Sequence, residues 1–240
     1  MRNLELISFA TGNELAHAAA TAWLDEVALA HESGTPQFVA LSGGRTAARL
    51  FPTVAEKART QKIPLTGIHF FWADERCVPP TDAESNFALA DKLLLQPLAI
   101  RSDKIHRIPG EQPPASAAEL ASAELRRVVP HNPAGHPLLD LIFLGMGEDG
   151  HVASLFPYQL EQPHLNPAAF RAVNNSPKPP PHRVTLTYAA IAVAKQVWVL
   201  ATGAGKEAAL RESLSPTGQT PLARVIQSRQ QTKIFSDIRL

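Results

Sequence analysis

The sequence predicts an α/β fold in which helices cover a mostly parallel β-sheet. Short apolar runs typical of buried strands occur at residues 38–41, 68–72, 138–144 and 196–201, and stretches with helical spacing separate them. This alternation favours parallel pairing, because consecutive parallel strands need a crossover connection that is usually a helix. The chain shows no internal repeat and no shift in composition, so a single domain over residues 1–240 is expected.

Amphipathic or alanine-rich spacing predicts the helices, and glycine and proline mark their ends. The predicted helices cover residues 14–31, 46–59, 85–95, 115–129 and 188–194, and a last one begins near Lys206. Ser85 is a suitable N-cap for the third of them. Residues 101–114 are polar and contain proline, which indicates a surface connection. Residues 177–181 contain four prolines and can form neither helix nor central strand, whereas residues 184–187 are typical of a further strand.

Composition limits the possible functions and partners. Hydrophobic residues make up 45% of the chain and charged residues 19%, as in globular proteins, and a net charge of +1 predicts neither a nucleic-acid nor a membrane partner. No apolar segment approaches the roughly 20 residues of a membrane span, and the first residues do not resemble a signal peptide. Cys77 is the single cysteine, which excludes an intramolecular disulfide and favours a cytoplasmic location. The nine histidines lack HxxxH and HExxH spacing, so no zinc site is expected.

The segment LIFLGMGEDGH at residues 141–151 carries the strongest functional signal. Asp149 and His151 follow an apolar strand, and ligands of open α/β sheets bind beyond the carboxyl ends of the strands. A histidine can transfer protons near neutral pH, and a carboxylate two residues away could orient it. The alternative is a packed or capping imidazole at the start of a short helix that Pro157 would end. Ser154 lacks the GxSxG setting of a nucleophile, so a packing or capping role is expected for it.

A second motif, Ser42-Gly43-Gly44-Arg45-Thr46, lies between a predicted strand and a predicted helix. Small residues allow backbone N–H groups to approach an anion, and the helix N-terminus adds partial positive charge. The motif is neither a P-loop nor a dinucleotide fingerprint. The alternative is a tight turn in which Thr46 caps the helix.

Charged residues follow another predicted strand in the segment WADERCVP at residues 72–79. Asp74 and Glu75 could act as bases or orienting groups, and Arg76 could bind a phosphate. The alternative is a solvated loop with a local ion pair. Arg183 and Lys206, each more often a surface cation than a ligand, would form a phosphate site with the glycine-rich loop if the fold brought them together.

Five motifs, in this order, resemble those of 6-phosphogluconolactonases: LSGGRTA, FWADERCVPP with the following Ser85-Asn86, LGMGEDGHVASLFP, RVTLT and TGAGKEAAL. The resemblance extends over roughly residues 38–210, and the combination of DGHxASLFP with DERxVP is highly specific. This family belongs to a wider group that includes glucosamine-6-phosphate deaminases and isomerases. The resemblance therefore implies an α/β, Rossmann-like three-layer fold with a mostly parallel central sheet flanked by helices.

The resemblance also implies an activity, which is hydrolysis of 6-phosphoglucono-δ-lactone to 6-phosphogluconate in the oxidative pentose phosphate pathway. It implies no metal and no organic cofactor, a small-molecule substrate and a monomeric protein. By the same analogy His151 is the general base that activates water, and Asp149 helps to orient it. The substrate-binding residues implied are Ser42, Gly43, Gly44, Thr46, Asp74, Arg76, Arg183 and Lys206.

The chain departs from the family pattern in its anion loop, which commonly reads SGGSTP and here has Arg45 in place of Ser and Ala47 in place of Pro. Backbone donation survives both changes, whereas the direction of the Arg45 side chain stays open. The resemblance gives His182 no role. Cys77 could have a lowered pKa beside Arg76, although a structural role for a small side chain is the simpler expectation.

Two alternative functions are considered. A glucosamine-6-phosphate isomerase or deaminase typically continues after the histidine toward Asn-Glu-Pro, where this chain has Ser154-Leu155-Phe156-Pro157, and tends to have Tyr where Arg76 stands. Both differences favour the lactonase. A non-catalytic sugar-phosphate sensor is disfavoured because the sequence shows no helix-turn-helix segment and no strong positive charge. The sequence leaves open which of Asp74, Glu75 and Asp149 is the partner of His151.

Overall fold

The computed structural model describes residues 3–157 and 168–240. Its strands are β1 (Asn3–Ser8), β2 (Gln37–Leu41), β3 (Ile68–Trp72), β4 (Asp74–Arg76), β5 (Leu141–Gly145), β6 (Phe170–Val173), β7 (Arg183–Leu186), β8 (Gln196–Ala201) and β9 (Gln231–Ser236). Its α-helices are α1 (Gly12–Glu32), α2 (Gly44–Gln61), α3 (Asn86–Ala90), α4 (Pro114–Val128), α5 (Tyr188–Val193), α6 (Glu207–Leu214) and α7 (Pro221–Ser228). A π-helical turn follows α3 at Asp91–Leu95, and a 3-10 turn lies at Ser102–Lys104.

Six strands form one parallel sheet in the order β1-β9-β8-β5-β2-β3. The inner strands β2, β5 and β8 are almost continuously apolar, as expected for strands that helices cover on both faces. Trp23 of α1 packs edge-on against Phe143 of β5, which in turn packs against Trp198 of β8. These fully buried aromatic side chains fix the centre of the sheet. None of the helices in the described residues combines the length and the hydropathy that a membrane span requires.

The order of the strands reverses between β2 and β5. From β2 the chain continues to β3 on one side, whereas the later strands β5, β8 and β9 lie on the other side of β2. At such a switch point the connections leave in opposite directions, so a crevice opens at the carboxyl ends of the two strands. The segment 42–44 after β2 and the segment 146–151 after β5 both border this crevice.

A second, antiparallel sheet in the order β4-β7-β6 stands beside the crevice. Its register places Arg76 directly opposite Arg183 and Asp74 opposite Thr185. Directly opposed side chains on adjacent strands lie on the same face of a sheet, so the pairing brings two cations together. The sequence predicted β7 as a strand but not this sheet, because β4 has only three residues, all of them charged.

The predicted fold class, a Rossmann-like α/β fold with a mostly parallel sheet flanked by helices, is confirmed. Ser85 is confirmed as the N-cap of α3, where its side chain accepts the Ala88 N–H, although the predicted helix divides into α3 and the π-helical turn. The short helix considered after His151 is wrong. Residues 152–155 instead form a turn, in which Ala153 has a φ of 49° and Leu155 N–H donates to the Val152 carbonyl.

Candidate active site

A cleft of about 140 Å³ occupies the crevice between the ends of β2 and β5 and is bordered by the small sheet. All predicted substrate-binding residues line it, namely Ser42, Gly43, Gly44, Thr46, Asp74, Arg76, Arg183 and Lys206. His151 also lines the cleft, and Asp149 contacts His151. The sequence did not select four further lining residues, Asn86, Gly145, Met146 and Ala153, and left the direction of Arg45, also on the wall, open.

The imidazole of His151 is held by Asp149. Its Nδ1 lies 2.5 Å from Oδ1 of Asp149, and the backbone N–H of His151 donates to the same oxygen. This contact identifies Asp149, rather than Asp74 or Glu75, as the carboxylate partner of the imidazole. The ring of Phe156 packs against His151 with centroids 4.9 Å apart. The imidazole is therefore fixed both by a hydrogen bond and by packing.

Two glycines allow the tight turn that places this pair. A side chain at Gly147 would collide with Nδ1 of His151 and with Oδ1 of Asp149. Gly150 has a φ of +74°, a conformation that other residues rarely adopt, and a side chain there would meet Thr220, the N-cap of α7. The sequence Gly-Glu-Asp-Gly-His is thus a local requirement for bringing the imidazole to the cleft.

Burial and pairing set the protonation states of the two residues. Burial lowers the pKa of His151 below its ordinary 6.5, and this effect outweighs the opposing influence of Asp149. Burial opposes ionisation of Asp149, but the hydrogen bond and charge of His151 outweigh it, so the pKa of Asp149 is lowered overall. At neutral pH the pair is therefore a neutral imidazole beside an ionised carboxylate.

The N-terminus of α2 forms another wall of the cleft. Gly43 is its N-cap and provides no side-chain hydrogen bond, so the first-turn N–H groups lack a capping acceptor. A Cβ on Gly43 would overlap the side chain of Asn86, and Gly44 has a φ of +85°. Thr46 does not cap the helix, because its hydroxyl is hydrogen-bonded to that of Thr202 at 2.7 Å. Ser42 donates its hydroxyl hydrogen to the Phe143 carbonyl and links β2 to β5.

Two cations stand beside this helix N-terminus. Lys206 is buried, and its Nζ donates to the carbonyl oxygen of Met146 at 2.6 Å. Burial and the nearby positive charge of Arg45 lower the pKa of Lys206. Arg45 is exposed and lines the cleft, so its guanidinium adds to the positive field at this wall. A small anion with several oxygens would have donors from the backbone and from both side chains here.

Arg183 is held almost entirely by backbone carbonyls. Its Nε donates to the Pro180 carbonyl, and Nη2 donates to those of Lys178 and Pro179. Its Nη1 lies 3.4 Å from the hydroxyl oxygen of Ser154. A guanidinium has five N–H donors, so four are used within the protein and one remains for a ligand. The proline-rich segment thus orients Arg183, and a bidentate contact to phosphate is not available to it.

Arg76 differs because part of its guanidinium lacks a partner. Its Nη1 donates to the carbonyl oxygen of Glu84 at 2.7 Å and lies 3.6 Å from the Glu84 carboxylate. Its Nε is buried and makes no hydrogen bond within the part of the chain that the structure describes. Nη2 makes no hydrogen bond in the described residues either, and the side chain is 21% exposed on the cleft wall, so the guanidinium can still donate to a ligand.

Glu75, considered above as a base, has a structural role. Its carboxylate accepts the backbone N–H groups of Arg76, Asn86 and Phe87 and the hydroxyl of Ser85. It therefore holds the start of α3, and it does not line the cleft. Burial raises its pKa, although these four hydrogen bonds oppose the change.

Asp74 is a buried acceptor at the wall of the cleft. Its Oδ2 accepts the hydroxyl of Ser154 at 2.7 Å, and its Oδ1 accepts Nδ2 of Asn86 at 3.2 Å. Asp74 therefore holds two side chains that were not among the predicted site residues, since Asn86 was named only as part of a family motif and Ser154 was assigned to packing or capping. Cys77 lies outside the cleft, and burial raises its pKa to about 11, which contradicts the lowered pKa considered for this thiol.

These features define a class of protein, an α/β protein with an imidazole–carboxylate pair beside an anion-binding cleft at the switch point of its sheet. Within residues 3–157 and 168–240, no three His, Cys, Asp or Glu side chains are grouped so that they could hold a metal ion. The cleft instead offers cationic and backbone N–H donors, which suit an anionic organic ligand.

Comparison with known proteins identifies the family. The family model described as glucosamine-6-phosphate isomerases/6-phosphogluconolactonase matches residues 10–235. A 6-phosphogluconolactonase of Treponema pallidum is 39% identical over 186 residues, which cover 77% of this chain and 76% of the relative. The crystal structure of 6-phosphogluconolactonase from Thermotoga maritima is 31% identical, with a TM-score of 0.79 and 98% of each chain covered. This chain therefore belongs to the glucosamine-6-phosphate isomerase/6-phosphogluconolactonase family, as its motifs indicate.

Proposed function

We propose that this chain is a 6-phosphogluconolactonase, which hydrolyses 6-phospho-D-glucono-1,5-lactone to 6-phospho-D-gluconate with His151 as the general base. The observation that carries the proposal is the His151–Asp149 pair at a cation-lined cleft. The relatives named above carry this activity in their names, and the Arg76 and Ser154–Pro157 segments favour it over the isomerase activity of the same family.

The tautomer of His151 follows from its partner. An ionised carboxylate can only accept hydrogen bonds, so Nδ1 of His151 carries the hydrogen and Nε2 carries the lone pair. The lowered pKa of His151 keeps the ring neutral at pH 7. Because no residue of the described chain is hydrogen-bonded to Nε2, this nitrogen is free to accept a proton from water. General-base catalysis of this kind contributes about 10²- to 10⁴-fold.

The reaction then proceeds in two proton transfers. Nε2 of His151 accepts a proton as the water oxygen bonds to C1 of the lactone, and the carbonyl oxygen becomes an oxyanion. The bond between C1 and the ring oxygen breaks as the carbonyl reforms, and the imidazolium returns the proton to the leaving ring oxygen. The product is an acid with a free 5-hydroxyl group, and its carboxyl proton is lost to solvent. A lactone is an activated ester, so no covalent nucleophile is needed.

The phosphate of the substrate is assigned to the wall formed by α2. Backbone N–H groups of the Gly43–Gly44 turn, the ammonium of Lys206 and the guanidinium of Arg45 are its donors. Binding the phosphate away from the reacting carbonyl positions the lactone at His151 and supplies part of the rate acceleration by orientation.

The small sheet is assigned to the lactone end. Arg76, whose Nη2 makes no hydrogen bond in the described residues, is the donor for the developing oxyanion, and Arg183 contributes its one remaining N–H and its charge. Asp74 is a positioning residue that holds Ser154 and Asn86 rather than a base. The proposed mechanism uses no metal, so a chelator is expected to leave activity intact. Inhibition that a divalent cation reverses would contradict it.

The experiment that tests this function is lactonase turnover, with the lactone generated in situ from glucose 6-phosphate by its dehydrogenase. The lactone hydrolyses spontaneously, so an enzyme-free blank and the His151→Ala variant are measured in parallel. Acceleration that the variant loses supports both the reaction and the base. No acceleration, together with ammonia release from glucosamine 6-phosphate, would instead assign the deaminase activity.

A further inference from the structure

A second cavity, of about 250 Å³, lies at the opposite end of the sheet from the cleft. It is formed by the C-terminal end of α2, the segment 62–66 that leads into the amino end of β3, residues 98–101 and Lys104. It shares no lining residue with the cleft. The proposed reaction does not use it.

The walls of this cavity are apolar. Leu65 and Ala58 are buried, and Ile63, Leu98 and Ile100 are half-buried around them. These side chains form part of the edge of the hydrophobic core. An aliphatic ligand on this surface would remove apolar area from water on both sides, which is the main source of affinity for such ligands.

The rim of the cavity is cationic. Arg59, Lys62, Arg101 and Lys104 line it, and no acidic residue does. Among the residues that the structure describes, only Arg101 of these four has an ion-pair partner, Asp103. Arg59 and Lys62 lie at the C-terminal end of α2, where cations compensate the helix dipole. That explanation does not apply to Lys104, which belongs to the separate turn Ser102–Lys104.

A chain of hydrogen bonds fixes the ammonium of Lys104. Its Nζ lies 2.9 Å from Nε2 of His69, whose Nδ1 lies 2.9 Å from Nε2 of His106, and Nδ1 of His106 lies 2.7 Å from the carboxylate of Glu124. Lys104 can only donate and an ionised Glu124 can only accept, so both imidazoles are neutral and every hydrogen points toward Glu124. Burial, then the charge of Lys104, lowers the pKa of His69 to about 4, in agreement with this assignment.

The fixed ammonium has two further N–H groups. One of its three N–H groups goes to His69, and Lys104 has no carboxylate within ion-pair distance in residues 3–157 and 168–240. Two donors held at the rim of an apolar cavity match a carboxylate that ends an alkyl chain. A sugar phosphate fits poorly, because its hydroxyl groups would be buried against Leu65 and Leu98 without partners.

We propose that this cavity is a binding site for a medium-chain aliphatic carboxylate, with the head group on Lys104 and the chain on Leu65, Leu98 and Ile100. The site is separate from the active-site cleft and does not depend on the activity proposed above. It would give the protein a second ligand of quite different chemistry from its substrate.

The test is calorimetric titration of the full chain with octanoate, with octanamide and acetate as ligands that lack the charge or the chain. Octanoate is expected to bind, and both control ligands to bind at least about tenfold more weakly. Lys104→Gln should weaken octanoate binding at least about tenfold, because it removes a charge-assisted hydrogen bond. Lys92→Gln, which makes the same charge change on a residue outside the cavity, should not alter it.

Four further measurements test the same proposal. Leu98→Asn should weaken octanoate binding, Lys104→Arg should retain most of it, and saturating inorganic phosphate in the cleft should leave it unchanged. The ring resonances of His69 should shift when octanoate is added. The proposal is overturned if octanoate does not bind, if Lys104→Gln binds it as well as the unaltered chain, or if phosphate displaces it.

Discussion

Within the described residues, two imidazole–carboxylate pairs differ in whether Nε2 of the histidine has a hydrogen-bond partner. In His151–Asp149 and in His106–Glu124, Nδ1 of the histidine faces a carboxylate oxygen, at 2.5 and 2.7 Å. Nε2 of His106 is occupied by His69. No residue of the described chain is hydrogen-bonded to Nε2 of His151, which belongs to a residue on the cleft wall. A carboxylate contact alone therefore does not distinguish a histidine that can act as a base. An Nε2 without a hydrogen-bond partner does.

The two pairs also differ in how tightly the histidine is packed and in how much of it is exposed. His106 is stacked on the ring of Phe71 and hydrogen-bonded edge to edge with His69, and its side chain is 6% exposed. His151 packs against one aromatic ring, Phe156, and its side chain is 17% exposed toward a cleft bordered by cations. A packed pair stabilises the fold, whereas a pair with one open side can exchange a proton with a bound water.

The largest expected effect comes from removing each imidazole in turn. His151→Ala should lower kcat for the lactone at least about 10²-fold with little change in the affinity for 6-phosphogluconate, because it removes the base but no phosphate contact. His106→Ala should leave kcat nearly unchanged and lower Tm, because it breaks two buried hydrogen bonds. Turnover and thermal unfolding of both variants check this. Near-normal kcat in His151→Ala would remove His151 from the mechanism.

The cations that distinguish the cleft should act mainly on binding. Lys206→Gln should weaken the affinity for 6-phosphogluconate about tenfold or more and lower kcat less, since it removes a charge-assisted contact to phosphate. Arg183→Ala should also weaken this affinity, but it frees the carbonyls of Lys178 and Pro179, so its Tm must be measured as well. Calorimetric titration with the product gives the affinities. Unchanged affinity in Lys206→Gln would contradict the proposed phosphate site, and unchanged affinity in Arg183→Ala would contradict the contact assigned to Arg183 at the lactone end.

A smaller effect is expected at Arg45, where this chain departs from the common loop sequence. Arg45 is exposed and lines the cleft, so Arg45→Ser should raise KM for the lactone about threefold, the size of an exposed ionic contact. Arg49, one turn further along α2, lies against Gly12 and outside the cleft, and Arg49→Ser is the control with the same change in charge. Equal KM values for the two variants would show that Arg45 points away from the phosphate.

The sequence predicted the parts of the site that depend on residues near one another in the chain. Asp149 and His151 share one turn, and Ser42, Gly43 and Gly44 share another, so their juxtaposition follows from local geometry. The strand ends that carry them were predicted for the same reason, since apolar runs such as residues 38–41 and 141–144 identify buried strands.

The other side of the cleft could not be predicted this way. Arg76 and Arg183 meet because β4 pairs with β7, and a three-residue charged strand gives no periodic signal. Glu75 resembled a catalytic carboxylate, but its oxygens cap α3. Asn86 is part of a family motif but was assigned no role at the site, because it directly follows the N-cap Ser85 in a predicted helix. β1, β9 and α7 were not predicted either. β9 lies between β1 and β8 in the sheet, but only two of its six residues, Ile234 and Phe235, are apolar, so it lacks the apolar run that identifies β8.

The smallest expected effect concerns the pH dependence of the His151–Asp149 pair that we propose as catalytic. Because burial lowers the pKa of His151, kcat/KM should rise with pH through an apparent pKa below 6.5 and then stay level, as the neutral imidazole is the active form. Asp149 raises the pKa of His151 by stabilising the imidazolium, so Asp149→Asn should move this limb to still lower pH while it reduces kcat. A pH profile of kcat/KM for both proteins measures the shift. A limb that moves to higher pH in Asp149→Asn would mean that the titrating group is not His151.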